Sequence, residues 1–178
     1  MGELQEKYLN TNGIATHYWE IGSGEAMILL HGGGAGADAF GNWSRIMPKF
    51  AETGFRVIAF DAVGFGKSNK PDPQRFEYNL NARVDQLISL IRSLELDNVT
   101  LIGNSMGGAT SLRAAKQQPE LVQRLILMGT AGRLKQAQKS DRNHEFPGFR
   151  LYGRFVCVYA LFPESLSSFV CTRQIHSG

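Results

Sequence analysis

A serine between two spaced glycines is the clearest chemical signal in this sequence. The segment Gly103-Asn104-Ser105-Met106-Gly107 matches the pattern G-x-S-x-G. In that pattern the serine sits on a sharp strand-to-helix turn, which exposes its hydroxyl as a nucleophile. An apolar, β-branched run (99–102) precedes it and a small-residue segment (107–115) follows, so the sequence predicts strand, turn and helix in that order. We therefore predict that Ser105 is a catalytic nucleophile, and the alternative is a serine that only caps the helix.

A glycine-rich segment supplies the complementary chemistry. His31-Gly32-Gly33-Gly34 directly follows the continuous apolar run 26–30. Acyl transfer places negative charge on an oxygen, which backbone N–H groups can stabilise. We predict the amides of Gly33 and Met106 as these donors, the second helped by its place at a helix N-terminus. The alternative is a glycine-rich turn that binds no ligand. His31 is predicted to organise the loop, since the base in this arrangement follows the serine in the chain.

A second glycine-containing segment superficially resembles a phosphate-binding loop. Gly64-Phe65-Gly66-Lys67-Ser68 ends in G-K-S, but the phosphate-binding pattern needs a further glycine six residues before the lysine. Asp61 occupies that position, and its carboxylate would repel a phosphate. The sequence therefore predicts a tight turn beneath the site and no nucleotide cofactor.

Composition and charge exclude several classes of protein. The chain has 178 residues, 43% of them hydrophobic and 20% charged, which suits one globular domain. The net charge of +3 arises from dispersed basic residues after Gly132, a pattern that predicts no nucleic-acid partner. No apolar run approaches the ~20 residues of a membrane span, and residues 1–7 are polar, so we expect a cytoplasmic location and no membrane partner. Cys157 and Cys171 fit no metal spacing and are expected to be free thiols, and no metal is predicted.

Strands and helices alternate along the chain, which predicts an α/β fold with a mostly parallel sheet flanked by helices. Ligands bind beyond the carboxyl ends of the strands of such sheets, where His31, Asp61 and Ser105 fall. The run 155–162 is predicted as either a strand or a buried helix. The remaining predicted elements are a hairpin over 7–21 around Asn12-Gly13, strands at 26–30, 56–60, 99–103 and 121–128, and helices at 43–53, 80–94 and from 106 to about 118.

Taken together, these segments resemble the α/β-hydrolases, and more narrowly the meta-cleavage-product hydrolases. Those enzymes split a carbon–carbon bond in 2-hydroxy-6-oxohexa-2,4-dienoates formed by aromatic-ring degradation. The resemblance rests on the segments 31–38, 41–43, 64–68 and 103–108. It implies a serine-dependent hydrolase of a small-molecule substrate, with Gly34 lining the substrate pocket beside Gly33. It also implies that Asn42 and Asn104 hydrogen-bond the oxygenated end of the dienoate, the alternative being that they satisfy loop backbone.

The resemblance covers about residues 7–132 and leaves two alternatives open. One is a carboxylesterase of the same fold, and the other is a non-catalytic truncated fragment or binding protein. The triad order in this fold is Ser, Asp, His, and we predict that 1–132 form the N-terminal part of the hydrolase domain, truncated after about the sixth strand. We expect 133–178 to be an atypical tail that does not match the family's lid, as a frameshift, a read-through intron or a truncated gene would produce.

The tail offers no convincing acid or base, so activity of the chain as given is expected to be impaired. Its candidate groups lack a strand-end context and are expected to be solvated. They are Asp141, His144, Glu145, Glu164 and His176.

Overall fold

The computed structural model describes residues 2–130 and the backbone of a strand at 156–159. Seven strands form one sheet in the order β1-β2-β4-β3-β5-β6-β7. Strands β3 to β7 run parallel, while β1 and β2 join antiparallel at one side. The strands are β1 (Gln5–Thr11), β2 (Ile14–Ile21), β3 (Glu25–Leu30), β4 (Phe55–Phe60), β5 (Val99–Asn104), β6 (Val122–Met128) and β7 (Val156–Tyr159).

Four helices connect these strands within the described residues. They are α1 (Ala39–Trp43), α2 (Met47–Glu52), α3 (Leu80–Ser93) and α4 (Met106–Gln117). The helix predicted over 43–53 is confirmed only over 47–52, as α2, and α1 is a separate short helix that ends at Trp43. Pro48 lies in the first turn of α2, where its missing N–H costs nothing, and it could not continue a helix from α1. Helix α1 was not predicted; it begins after Asp38, whose side chain caps it.

The other predicted elements are confirmed to within a few residues. The hairpin turns at Asn12-Gly13, and the run 155–162 contains β7, a strand parallel to β6. The sixth strand is the last of the continuous segment 2–130, and β7 extends the sheet by one short strand. No helix in the part of the chain described here is long and apolar enough to cross a membrane. The boundary predicted at residue 132, the acidic and histidine residues of the tail, and Cys171 lie outside the described residues.

The sheet separates two apolar clusters. On one face, Ile28 and Leu30 of β3 pack with residues of α3 and α4, and on the other Met27 and Leu29 pack with α1 and α2. Burying a leucine or isoleucine completely contributes about 1.5–3 kcal/mol, so β3 is anchored from both sides. The central strands β3 and β5 therefore fix where their carboxyl ends, and the loops that follow, lie.

Helix α4 starts in direct contact with the end of β3. A Cβ atom on Gly107 would lie 2.4 Å from the Leu30 carbonyl oxygen and 2.7 Å from that of His31. A Cβ atom on Gly103 would lie 2.5 Å from the Gly107 carbonyl oxygen. Only glycine fits these positions, since backbone atoms cannot give way as a flexible side chain can.

We expect Gly107→Ala to lower the free energy of unfolding by about 3 kcal/mol, the upper part of the range for overpacking, because α4 must move away from β3. Urea unfolding followed by circular dichroism measures this. Gly2→Ala is the control, because its Cβ atom would meet only the Gly22 nitrogen at 3.8 Å. Equal stability of the two variants would contradict the tight contact.

Glu20 links three strands through one carboxylate. On β2, it accepts a hydrogen bond from the Lys7 ammonium of β1 at 2.7 Å and another from the Arg56 guanidinium of β4. Burial raises the pKa of Glu20, but the hydrogen bonds and charges of Lys7 and Arg56 outweigh burial and hold this pKa below its usual value of 4.5. The ionised carboxylate therefore stabilises the fold.

At pH 7, we expect Glu20→Gln to lower the free energy of unfolding by about 1–3 kcal/mol, because hydrogen bonds to a charge are lost. The unfolded chain takes up this proton near pH 4.5 while the folded chain still resists it. The extra stability of the wild type over Glu20→Gln should therefore disappear as the pH falls below that value and through the pKa of Glu20 in the folded chain. Urea midpoints across this pH range test this, with the exposed Glu52→Gln as control. A stability difference between the wild type and Glu20→Gln that does not change with pH would refute this role of the Glu20 carboxylate.

Candidate active site

Ser105 occupies a strained turn between β5 and α4. Its φ is +48°, a left-handed conformation that a non-glycine residue adopts at a cost of order 1 kcal/mol or more. Its N–H donates to the Met128 carbonyl at 2.8 Å, and its carbonyl accepts from Ala109 at 3.1 Å, so the backbone is held from two sides. Ser105 stands at the N-cap position of α4, yet its side chain makes no capping hydrogen bond. The geometry is that of a strand–turn–helix with the hydroxyl left for another partner.

The loop after β3 lies against this turn. A Cβ atom on Gly33 would lie 3.3 Å from the Met106 sulfur, and one on Gly32 would lie 3.6 Å from Ser105 Cβ. The Met106 amide has no intrahelical partner, because it belongs to the first turn of α4. Within the described residues the Gly33 amide donates no hydrogen bond either. The two amides predicted as oxyanion donors therefore stand on facing segments, and their catalytic role stays a prediction.

The two asparagines predicted to bind substrate meet at the same place. Asn104 ends β5 and Asn42 lies on α1, and their side-chain amides approach to 3.5 Å. Asn42 Oδ1 also accepts from the Gly32 amide at 3.3 Å, and its Nδ2 donates to the Asp38 carbonyl at 3.0 Å. Asn42 therefore does satisfy loop backbone, while the amide of Asn104 has only the long contact. Gly34, the last predicted site residue, has a φ of +147° and open space around it.

His31 is buried and fully hydrogen-bonded. Its Nδ1 donates to the Gly32 carbonyl at 2.7 Å, and its Nε2 accepts from the Ala62 amide at 3.0 Å. These partners fix one neutral tautomer. Burial, the largest effect, lowers the pKa of His31, against the opposing influence of the Gly32 carbonyl and of Asp61. The prediction that His31 organises the loops is confirmed.

Both ring nitrogens of His17 also have hydrogen-bond partners, which no local pattern around His17 predicts. Its Nδ1 lies 2.7 Å from Asp61 and its Nε2 lies 2.9 Å from Glu6. Both ring nitrogens are therefore engaged by carboxylates. Within residues 2–130, therefore, no histidine is left to take a proton from Ser105. The two carboxylates bind opposite sides of the ring, and the described residues contain no cluster of three or more side chains that could hold a metal ion.

The turn over 64–68 packs around the carboxylate of Asp61. The Lys67 amide donates to Asp61 Oδ2 at 2.8 Å, and a Cβ atom on Gly66 would lie 2.0 Å from that oxygen. The tight turn beneath the site is confirmed. The Lys67 amide therefore binds Asp61, where a phosphate-binding loop would direct such an amide at phosphate.

A cavity of about 740 Å³ opens beside the loop over 34–38. Its walls include Trp19, Phe40, Phe65 and Lys67, and Ser105 does not line it. The cavity therefore flanks the loop without reaching the candidate nucleophile.

Most of the chain is similar to known hydrolases in sequence and in structure. A family model described as the alpha/beta hydrolase fold matches residues 25–171. A 2-hydroxy-6-oxo-6-(2'-aminophenyl)hexa-2,4-dienoic acid hydrolase from Metapseudomonas resinovorans is 43% identical over 79% of this chain and 49% of its own length. A 2-hydroxy-6-oxo-6-phenylhexa-2,4-dienoate hydrolase from Comamonas testosteroni is 43% identical over 73% of this chain and 44% of its own length.

The solved structures agree with the sequence matches. A serine hydrolase involved in carbazole degradation superposes with a TM-score of 0.70 at 42% identity, covering 76% of this chain and 52% of that one. The chain spans about half the length of the curated relatives it matches. It belongs to the alpha/beta hydrolase fold family, and within that family it is similar to hydrolases of 2-hydroxy-6-oxohexa-2,4-dienoates.

Proposed function

We propose that this chain carries the nucleophile and the substrate-orienting part of a hydrolase that cleaves the carbon–carbon bond of 2-hydroxy-6-oxohexa-2,4-dienoate-type ring-fission products. One observation carries the proposal: the amides of Asn42 and Asn104 meet beside the turn that holds Ser105. A substrate with enol, keto and carboxylate oxygens needs such donors and acceptors. The names of the similar hydrolases support the same substrate class.

Each residue has a distinct role in this proposal. The two asparagines and the loop at Gly34 hold the oxygenated end of the dienoate. Ser105 attacks the C6 carbonyl, and the amides of Gly33 and Met106 stabilise the oxyanion that forms there. No metal or cofactor takes part, because the substrate itself supplies the electron-accepting group.

The bond-breaking step follows conversion of the enol to a ketone. Ketonisation has already placed a proton on C5. Ser105 Oγ then loses its proton and bonds to C6, the C5–C6 bond breaks, and its electron pair passes through C4 and C3 to the C2 oxygen, which gains a proton to form a 2-hydroxydiene. Water then hydrolyses the acyl-serine and releases a carboxylic acid. The described residues contain no free histidine for the serine proton, so this step requires a base from outside them.

For the rest of the chain we propose that 1–132 form the N-terminal part of the hydrolase domain and that 133–178 are a tail distinct from a hydrolase lid. The family-model match through residue 171 is the opposing observation. The encoding DNA tests the division: an alternative reading frame after residue 132 that encodes an aspartate and a histidine on further strands would support it. Absence of such a frame would overturn the frameshift explanation.

We expect the purified chain to bind 2-hydroxy-6-oxo-6-phenylhexa-2,4-dienoate and to shift its visible absorbance. Asn42→Ala and Asn104→Ala should each weaken binding about tenfold, the equivalent of one hydrogen bond of ~1.4 kcal/mol. Titration of the dienoate's absorbance gives the dissociation constants. Asn69→Ala is the matched control, because Asn69 is exposed and both of its described hydrogen bonds are made by its backbone. Equal affinity of all four proteins would refute the assigned roles of the asparagines.

We expect a fluorophosphonate probe to label Ser105 slowly, because the turn exposes the hydroxyl but no described histidine activates it. Mass spectrometry of the labelled peptide locates the probe. Labelling should disappear in Ser105→Ala and persist in Ser93→Ala, a variant of an exposed serine on α3. A folded chain that stays unlabelled would favour the non-catalytic alternative. Turnover of p-nitrophenyl acetate without turnover of the dienoate would favour a carboxylesterase.

A further inference from the structure

Asp61 connects three separate segments through one buried carboxylate. It directly follows β4 and is 1% exposed. Its Oδ1 accepts from the Ala39 amide at 2.7 Å, and its Oδ2 accepts from the Lys67 amide at 2.8 Å and from His17 Nδ1 at 2.7 Å. Hydrogen bonds to an ionised acceptor are roughly twice as strong as neutral ones. The carboxylate thus holds β2, the turn over 64–68 and the start of α1 in one arrangement.

The bond to Ala39 matters because α1 is too short to be stable alone. A helix of five residues gains little from its own hydrogen bonds and depends on external contacts. Asp61 binds the first amide of this helix, and Asn42 follows three residues later, about one turn along. The position of Asn42, and with it the contact to Asn104, therefore depends on where Asp61 holds the helix.

The carboxylate itself cannot rotate away from this position. The His17 ring on its other side is bound by Glu6 and lies beside Tyr8, with 4.9 Å between the ring centroids. Trp19, next along β2, contacts Phe40 of α1 with a centroid distance of 4.9 Å, which joins the same two elements a second time. The orientation of Asp61 is thus fixed from the sheet, and helix α1 takes its orientation from Asp61.

We infer that Asp61 is a positioning residue: its carboxylate holds helix α1 and, through it, places Asn42 for substrate binding. The second half of this inference rests on the proposed function. Asp61 touches no substrate in this arrangement and acts only through the Ala39 amide. The other described partner of the α1 start is the Asp38 cap, which belongs to the helix itself.

Asp61→Asn should raise hydrogen–deuterium exchange of the α1 amides at 39–43 roughly tenfold, because the charge-assisted bond to Ala39 becomes a weaker neutral one. Exchange in α3 and β5 should stay unchanged. Asp85→Asn is the matched control, because Asp85 is exposed on α3. This measurement needs no ligand. Unchanged exchange of the α1 amides would overturn the inference.

The same variant should weaken dienoate binding about tenfold, and Asp61→Asn combined with Asn42→Ala should bind as weakly as Asn42→Ala alone. Such non-additivity is expected when one residue acts through the other. If the two substitutions lower the free energy of dienoate binding additively, the link through Asn42 is overturned, even if the α1 amides exchange faster. A wild-type chain that fails to bind the dienoate would refute the proposed function, and the exchange measurement would still decide whether Asp61 holds α1.

If Asp61→Asn fails to fold, a variant with an ester in place of the peptide amide of Ala39 removes only the hydrogen-bond donor to Asp61. Replacing the Ala39 N–H by an ester oxygen leaves Asp61, His17 and Lys67 intact. Faster exchange of the remaining α1 amides in this variant would support the inference, and exchange equal to the wild type would overturn it.

Discussion

The candidate site depends on the contact between the first turn of α4 and the end of β3. Gly107 allows that contact because the carbonyl oxygens of Leu30 and His31 lie where any Cβ atom would be. The contact brings two loops from different strands face to face, with Ser105 on one and Gly33 on the other. A larger residue at position 107 would move Ser105 away from Gly33, so a packing constraint in the sheet sets the geometry of the candidate site.

Local patterns predicted most of the fold and the centre of the site. The Ser105 turn, the hairpin at Asn12-Gly13 and the buried parallel strands all follow from residues close in sequence. The helix predicted over 43–53 was placed too early and α1 was missed, because two local signals were overlooked, the capping Asp38 and the break before Pro48. Both signals were present in the sequence.

The Asp61 network could not have been predicted in the same way. The antiparallel pairing of Tyr18 with Phe60 places His17 beside Asp61, 44 residues apart in the chain. No spacing rule connects such residues, since their contact exists only after β2 and β4 have paired. The sequence identified Asp61 as a strand-end residue and correctly placed a tight turn after it, but its partners in β2 and α1 are products of the tertiary fold.

Under the proposed function, the asparagine pair combines the two roles that were predicted as alternatives. Asn42 Oδ1 already accepts from Gly32, which fixes the amide and leaves Asn104 Nδ2 at a long 3.5 Å from it. A ligand oxygen placed beside Asn104 could accept from its Nδ2 at a shorter distance than Asn42 Oδ1 now does. Bonding to loop backbone therefore preorganises the pair instead of competing with substrate, in the way that supporting hydrogen bonds orient binding groups elsewhere. Neutral amides can orient a carboxylate but cannot balance its charge, so affinity from this pair alone should be modest and selectivity should come from geometry.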